Sequence, residues 1–271
     1  MKHSNAISKP PEVAERQELI RFSDVSKQFG AFTAVTDVNL QVARGEIITL
    51  VGPSGCGKST LLNMTAGLFA PSMGDVTYAG KPVEGVNVRT GYMTQSDHLL
   101  PWRSVADNIA IPLEIAGHGR KKIRERVEGL MELVGLSNFA SAYPSRLSGG
   151  MRKRTALARL LAYDPETLLL DEPFAALDAQ MRLNMQYELL QISRKLGKTV
   201  LFVTHDLDEA VSLGDRIAVF SKSPGTIIRL VTSPLGADRN LLRIRHDPAY
   251  ASLCAELWDL IVPSNKQEAM A

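Results

Sequence analysis

The stretch VGPSGCGKST, Val51–Thr60, constrains the fold of this chain more than any other part of it. It follows the apolar run Ile47–Val51 and leads into the apolar pair Leu61 and Leu62. A short apolar run that ends at glycines is typical of a buried strand, and apolar residues resume after the loop. The order therefore predicts a strand, a glycine-rich turn and the start of a helix.

The loop fits the pattern G-x-x-x-x-G-K-[ST], which binds nucleotide phosphates. Its glycines let backbone N–H groups point inward without a Cβ clash, and the start of the helix faces the same anion. Lys58 supplies a cation for the β and γ phosphates, and the Ser59 hydroxyl can ligate Mg²⁺. A glycine-rich turn with an incidental lysine is the alternative, and the flanking strand and helix disfavour it. The predicted nucleotide contacts are Gly52, Pro53, Ser54, Gly55, Cys56, Gly57, Lys58, Ser59 and Thr60.

Composition limits the remaining possibilities. The 271 residues, 45% of them hydrophobic, can bury a full core and allow either one large domain or one domain with an appendage. The net charge of +2 is too small to predict nucleic-acid binding through bulk charge. Cys56 and Cys254 lack metal-ligand spacing, which favours a reducing compartment such as the cytoplasm. We recognise neither a signal peptide nor an apolar run of membrane-spanning length, and expect a chain that does not itself cross a bilayer.

Hydrophobic patterning predicts an α/β fold. The compact apolar runs IITLV, TLLLD, TVLFVTH and RIAVF predict central strands of a parallel sheet buried on both faces. The segments LIRFSDVSKQF, DVNLQV and GDVTYAGKPV predict a separate antiparallel layer. Helical spacing is found over 123–134, 185–196 and 248–262, whereas 227–242 gives no clear pattern.

Three regions depart from this core. Residues 1–18 are polar and contain prolines, and we expect a disordered tail. Residues of about 96–165 carry no strongly strand-like run, which predicts a helical subdomain inserted between parallel strands. Within it, the basic cluster GRKKIRERVEG is expected to be a solvated helix face rather than a polyanion site.

Asp171 and Glu172 follow the apolar run TLLL at a predicted strand end. One carboxylate there can hold Mg²⁺, directly or through water, and the next can act as general base toward the attacking water. The pair therefore favours phosphoanhydride hydrolysis with Glu172 as the base. The alternative for Glu172 is a turn or helix-start acid before Pro173.

With the motif LSGGM, Leu147–Met151, added to these residues, the chain resembles the ATPase subunit of ATP-binding-cassette (ABC) transporters over about 19–230. The resemblance implies an ABC ATPase domain over that range and an extension over 231–271. It also implies a head-to-tail homodimer in which the signature loop of one subunit covers the ATP held by the other. Ser148, Gly149 and Gly150 match the residues that reach the γ phosphate, whereas Met151 stands where glutamine is usual.

The same resemblance assigns further residues. Gln95 matches the glutamine that senses the metal and the attacking water, and His205 matches the switch histidine at the γ phosphate. Asp178 matches the aspartate that crosses to the opposite site, although Ala175 replaces a common serine. Phe29 matches the aromatic that stacks on adenine, with core packing as its alternative. The predicted catalytic set is thus Glu172, His205 and Gln95, and the predicted Mg²⁺ ligands are Ser59, Gln95 and Asp171.

The resemblance also implies the partners. ATP-driven closure would move two separate transmembrane permease subunits at the cytoplasmic face of the membrane, with a solute-binding protein as an indirect partner and no nucleic acid. The segments LLPWRSV, SPGTI and CAELWDLI look like those of importers for nitrate, sulfonates, taurine and related small solutes. An aliphatic sulfonate or taurine is the first expectation, and nitrate, a thiamine-precursor pyrimidine or an aromatic acid are the alternatives. Trp102, near the groove expected to receive the permease, is either a docking residue or core. A non-transport ABC-type ATPase and a nucleotide-dependent regulatory module are the alternatives, and the presence of Glu172 and His205 favours turnover over the latter.

Overall fold

The computed structural model describes residues 17–237 and 239–261. Within these ranges the strands are β1 Glu18–Phe29, β2 Phe32–Ala43, β3 Ile47–Val51, β4 Met73–Tyr78, β5 Lys81–Pro82, β6 Thr90–Met93, β7 Thr167–Asp171, β8 Thr199–Thr204, β9 Arg216–Phe220 and β10 Ile227–Thr232. The helices are α1 Lys58–Thr65, α2 Val105–Ile115, α3 Arg120–Leu133, α4 Gly149–Ala162, α5 Ala179–Lys195, α6 Leu207–Leu213 and α7 Pro248–Ile261. Short 3-10 turns lie at Ser137–Phe139, Pro144–Arg146 and Ile244–His246.

The larger sheet has the strand order β10-β9-β3-β8-β7-β6, and only β10 is antiparallel to its neighbour. Alternate residues of its central strands enter two different apolar cores. In β8, Val200 and Phe202 face the core shared with α4–α7, whereas Leu201 and Val203 face the core shared with α1 and the smaller sheet. Burial on both faces explains why these strands read as continuous apolar runs.

The smaller sheet is antiparallel, with the order β2-β1-β4-β5. Its apolar face packs with α1 against the larger sheet, so these elements form one core. Gly74 lies at φ +75°, where an added Cβ would come within 2.3 Å of the carbonyl oxygens of Ser23 and Asp24. Close approach of β4 to β1 therefore requires glycine there.

Between β6 and β7 the described chain contains helices and turns but no strand. The buried Asn108 of α2 shapes the preceding loop, since its Oδ1 accepts from the Leu100 N–H at 2.8 Å and its Nδ2 donates to the carbonyls of Leu100, Arg103 and Ser104. Trp102 lies in this loop with 71% of its surface exposed. Core packing, one of its two predicted roles, is therefore wrong.

The structure differs from the sequence predictions in three places. Strand β1 includes Glu18, the last residue of the predicted tail, while residues 1–16 lie outside the described residues. Strand β10 begins the unassigned segment 227–242 as an exposed edge strand. Arg126 is not part of the solvated basic face predicted for α3, because its guanidinium donates to the carbonyls of Leu161 and Ala162 at the end of α4.

Among the described helices none is long and apolar enough to cross a membrane.

Candidate active site

The predicted residues gather where the parallel strands end. Val51 of β3 pairs with Thr204 of β8, and Asp171 of β7 pairs with Val203. The carboxyl ends of parallel strands lie at one edge of a sheet, which is the usual place for ligands in such folds. The phosphate loop, the acidic pair and His205 are therefore neighbours.

The phosphate loop, Gly52–Lys58, depends on two glycines with left-handed backbones, Gly55 at φ +78° and Gly57 at φ +89°. At Gly57 an added Cβ would also come within 2.3 Å of Val35 Cγ1 and 2.7 Å of the Ala34 carbonyl oxygen. At Gly55 no atom lies within 4 Å of that position. Glycine is thus needed at Gly55 only for its backbone conformation, and at Gly57 for both its backbone conformation and its close packing.

Lys58 begins α1 and is only 4% exposed. Its ammonium donates to the carbonyls of Gly52 and Pro53, each at 2.8 Å, and lies 3.6 Å from Cys56 Sγ. The N-cap of α1 is Gly57, and within the described residues no side chain caps this helix. A cation and the first-turn N–H groups of α1 therefore face the same loop, an arrangement suited to phosphate.

Ser59, Asp171 and Tyr92 form a polar group beside the loop. Ser59 Oγ donates to Asp171 Oδ1 at 2.8 Å, and Tyr92 Oη donates to Asp171 Oδ2 at 3.2 Å. Burial, and then the charge of Asp171, raise the pKa of Tyr92, so this phenol remains a donor at neutral pH. The serine hydroxyl and the carboxylate are oxygen ligands of the kind that Mg²⁺ prefers, so this chain's residues fit that ion.

Glu172 and His205 are in contact, with 3.0 Å between Glu172 Oε2 and His205 Nδ1. Glu172 has a positive φ of 45°, uncommon for a residue with a side chain, and its N–H donates to the Val203 carbonyl at 3.0 Å. The main-chain bond to β8 thus holds Glu172 in this conformation. At this edge of the sheet the Glu172 carboxylate can accept a proton from water, and the His205 imidazole can bind an anionic oxygen.

Gln95 follows β6, and its side chain is exposed. The loop around it is bound to α4 through the backbone: Lys153 donates to the Gln95 carbonyl, and Arg159 donates to the carbonyls of Asp97 and His98 at 2.7 and 2.8 Å. Burial lowers the pKa values of both Lys153 and Arg159. We did not predict these two residues, because their sequence signal is only a basic helix far along the chain.

Ser148, Gly150 and Asp178 belong to a second group, at the starts of two helices. Ser148 caps α4 and Asp178 caps α5, each through its side chain. Ser148, Gly150 and Asp178 line a cavity of about 330 Å³ with Met151 and Met181. Gly149, the first residue of α4, separates Ser148 from the buried Gly150. The structure therefore brings the signature residues to Asp178.

Phe29 ends β1, and the residue is 46% exposed. It meets Phe69 edge to face at a centroid distance of 5.3 Å, and the Lys27 ammonium lies 5.2 Å from its centroid. Half of the ring thus packs against the protein, and half offers a surface on which a base could stack.

A family model described as ABC transporter matches residues 35–175. The chain is 43% identical over 241 residues to an uncharacterized ABC transporter ATP-binding protein of Methanocaldococcus jannaschii, covering 86% of this chain and 90% of that protein. It is 41% identical over 218 residues to the taurine import ATP-binding protein TauB of Yersinia pestis, covering 80% of this chain and 86% of that protein.

Solved structures agree on the fold. A dimeric ATP-binding cassette in a post-hydrolysis state, bound to ADP and Pi, superposes with a TM-score of 0.69 at 30% identity and covers 79% of this chain and 98% of its own. A cbiO1 subunit from Clostridium perfringens gives 0.75 at 23% identity, covering 94% of this chain and 100% of its own, which supports the fold alone. The predicted α/β fold with an antiparallel layer and a helical subdomain is confirmed, as is the predicted family. The chain belongs to the ABC transporter family and is an ATP-hydrolysing cassette.

Proposed function

We propose that this chain is the ATPase subunit of an importer that takes up a small solute of the sulfonate, taurine or nitrate type. The observation that carries this proposal is the 41% identity to a taurine import ATP-binding protein over 80% of the chain. Selection of the solute belongs to the membrane subunits and a separate solute-binding protein. This subunit therefore drives transport through ATP hydrolysis and does not select the solute.

The working unit is a head-to-tail homodimer with two ATP molecules. Two groups of predicted residues support this: the phosphate-loop group at the sheet edge, and the signature group around Ser148 and Asp178 at the starts of α4 and α5. Each ATP lies between the phosphate-loop group of one copy and the signature group of the other. Each site is then completed by a partner subunit, and the helix start of α4 adds N–H groups toward the γ phosphate.

The phosphate-loop group binds ATP. Lys58 and the loop N–H groups contact the β and γ phosphates, and Phe29 stacks on the adenine. Ser59, Asp171 and Gln95 would hold Mg²⁺, which would offset phosphate charge when bound. The contact of 2.8 Å between Ser59 and Asp171 supports the pairing of these two ligands.

The hydrolytic step uses the acidic pair and the histidine. Glu172 accepts a proton from the attacking water, while His205 binds the γ phosphate. Their separation of 3.0 Å supports a joint role. Gln95, whose loop is bound to α4, orients the same water and transmits closure to the helical subdomain.

The permease subunits dock beside α2. Trp102 is 71% exposed in a loop that Asn108 holds through four hydrogen bonds, so an apolar side chain is presented on a rigid support. Exposed aromatic residues on rigid loops are common anchors of interfaces. The cassette is thereby peripheral, at the cytoplasmic face of the membrane.

Co-purification of the tagged chain from its native membranes in mild detergent tests this function. We expect recovery of a multi-span membrane protein and stimulation of ATP hydrolysis by a loaded sulfonate-, taurine- or nitrate-binding protein. Trp102→Ala should reduce that recovery, whereas Trp258→Ala, which truncates another exposed tryptophan on α7, should not. Recovery of soluble or nucleic-acid-associated partners alone would instead identify a non-transport ATPase.

A further inference from the structure

Helix α7, from the C-terminal extension, packs against α6. Tyr250, Leu253 and Leu257 of α7 are buried in the same core as Ala210 and Val211 of α6. Helix α6 begins only two residues after His205. Helix α7 of the extension therefore packs against the helix that directly follows His205.

The first turn of α6 is bonded to the residue after His205. Asp206 caps this helix, with its Oδ1 accepting from the N–H groups of Asp208 at 2.8 Å and Glu209 at 3.3 Å. Its Oδ2 accepts from Arg182 of α5 at 3.1 Å. Movement of the first turn of α6 would therefore move the backbone next to His205.

Glu209 holds the inner side of that turn. Its carboxylate accepts from the Thr204 hydroxyl at 2.5 Å and from the Gln186 amide at 3.0 Å, both in buried surroundings. Burial raises the pKa of Glu209. This network fixes one side of α6 to β8 and α5.

Tyr250 holds the outer side. Its hydroxyl donates to Asp208 Oδ1 at 2.6 Å, and burial is the main cause that raises the pKa of this phenol, so it stays protonated. Arg245 also approaches Asp208 at 3.5 Å, and Cys254 Sγ lies 4.0 Å from it. The Arg245 pair is exposed on both sides and is weak for that reason. The hydrogen bond from Tyr250 is short, is accepted by a carboxylate and is donated by a buried side chain. Of the three contacts it therefore contributes most to holding Asp208 in place.

We propose that Tyr250 is a positioning residue for ATP hydrolysis: through Asp208 it fixes the first turn of α6, and thereby the place of His205 beside Glu172. The inference rests on the proposed role of His205. Leu253 and Leu257 bury α7 whether or not the hydroxyl is present, so the phenol adds a directed bond to an already packed helix. That bond acts on the catalytic step, because it positions His205 beside Glu172. The other residues of the same copy that are proposed to contact ATP are Phe29 at the end of β1, the loop between β3 and α1, and the first turn of α1.

Steady-state ATP hydrolysis by the full-length chain tests this role, with Tyr250→Phe as the variant. We expect kcat to fall roughly three- to tenfold, since small misplacements of a reacting group have effects of this order, while KM for ATP stays within about twofold. Tyr163→Phe is the matched control, because it also removes one phenol hydrogen bond, from Tyr163 to the Thr90 carbonyl at 3.0 Å. Thr90 begins β6, so this bond lies at the end of the strand away from Gln95. Its kcat should stay within about twofold of the original chain.

A double-mutant cycle separates positioning from general weakening of the fold. Asp208→Ala should lower kcat, and adding Tyr250→Phe to it should lower kcat no further. Equal thermal unfolding temperatures for the two phenylalanine variants would remove stability as the cause. An unchanged kcat for Tyr250→Phe, a KM that rises with it, or additive losses in the double variant would each overturn the proposal.

Glu172→Gln and His205→Ala distinguish this failure from failure of the proposed site. If both lose hydrolysis while Tyr250→Phe behaves as the original chain, only the positioning role is wrong. If His205→Ala retains the full rate, the proposed role of His205 is wrong, and the positioning role that rests on it is overturned too.

Discussion

The phosphate-loop group and the signature group differ in how the fold assembles them. In the first, side chains from the start of α1 and from the ends of β7 and β8 are bonded to each other, as in Ser59 with Asp171 and Glu172 with His205. In the second, Ser148 and Asp178 each cap their own helix and line an open cavity. A parallel sheet thus pre-assembles one half of the site, while helix starts present the other half outward. The difference favours a site completed by a second copy.

The largest effect should come from the pre-assembled half. Glu172→Gln keeps the size of the side chain but removes the base, so hydrolysis should fall by about 10²-fold or more. ATP binding and ATP-promoted dimerisation should persist, as measured by equilibrium binding and gel filtration. Glu128→Gln, an exposed acid on α3, is the control and should leave the rate unchanged. A full rate in Glu172→Gln would remove this carboxylate from the mechanism.

The two glycines of the phosphate loop give a second, smaller contrast. Gly57→Ala should weaken nucleotide binding and lower the free energy of unfolding more than Gly55→Ala does. Both positions have a positive φ, but only at Gly57 would the added Cβ lie within 2.3 Å of Val35. The backbone strain alone is of order 1–3 kcal/mol. Thermal unfolding and nucleotide titration check the order. Equal losses in the two variants would contradict the packing part of the argument.

The signature half should show the smallest effect on the isolated chain. Ser148→Ala removes the cap of α4 and should cost about 1 kcal/mol of unfolding free energy, as should Ser104→Ala at the cap of α2. Only Ser148→Ala should also lower the hydrolysis rate, whereas ATP binding to the monomer stays intact in both. Chemical denaturation and ATPase assays separate the two properties. Equal hydrolysis in both variants would leave Ser148 a cap and nothing more.

The elements that carry the pre-assembled half were predictable from the sequence for a physical reason. A five-residue apolar strand, a glycine loop and a following helix are local features, and Asp171 and Glu172 directly end another apolar run. Contacts between distant segments were not predictable this way. Tyr250 with Asp208, and Lys153 with the Gln95 carbonyl, join residues whose sequence neighbourhoods carry no sign of each other.

The sequence showed no clear pattern for strand β10 for a different reason. Its exposed edge position lacks the alternating burial that marks a strand, so its residues gave no periodic signal. The division into an ATPase domain over 19–230 and an extension over 231–271 stays a proposal. The burial of Tyr250, Leu253 and Leu257 in the core around α6 places the described part of the extension within the same folded unit.

Mixing two inactive variants tests the shared site most directly. Lys58→Ala disables the phosphate-loop group, and Ser148→Arg disables the signature group by bulk and charge. In a head-to-tail dimer, one copy of each restores one intact site. We therefore predict that neither variant hydrolyses ATP alone, whereas their mixture does.

The control mixture pairs Lys58→Ala with the double variant Lys58→Ala/Ser148→Arg, which can form no intact site and should stay inactive. Hydrolysis in the first mixture and not in the second is the result that the account predicts. A first mixture as inactive as its components, although mixed dimers form, would contradict a site shared between two copies of this chain.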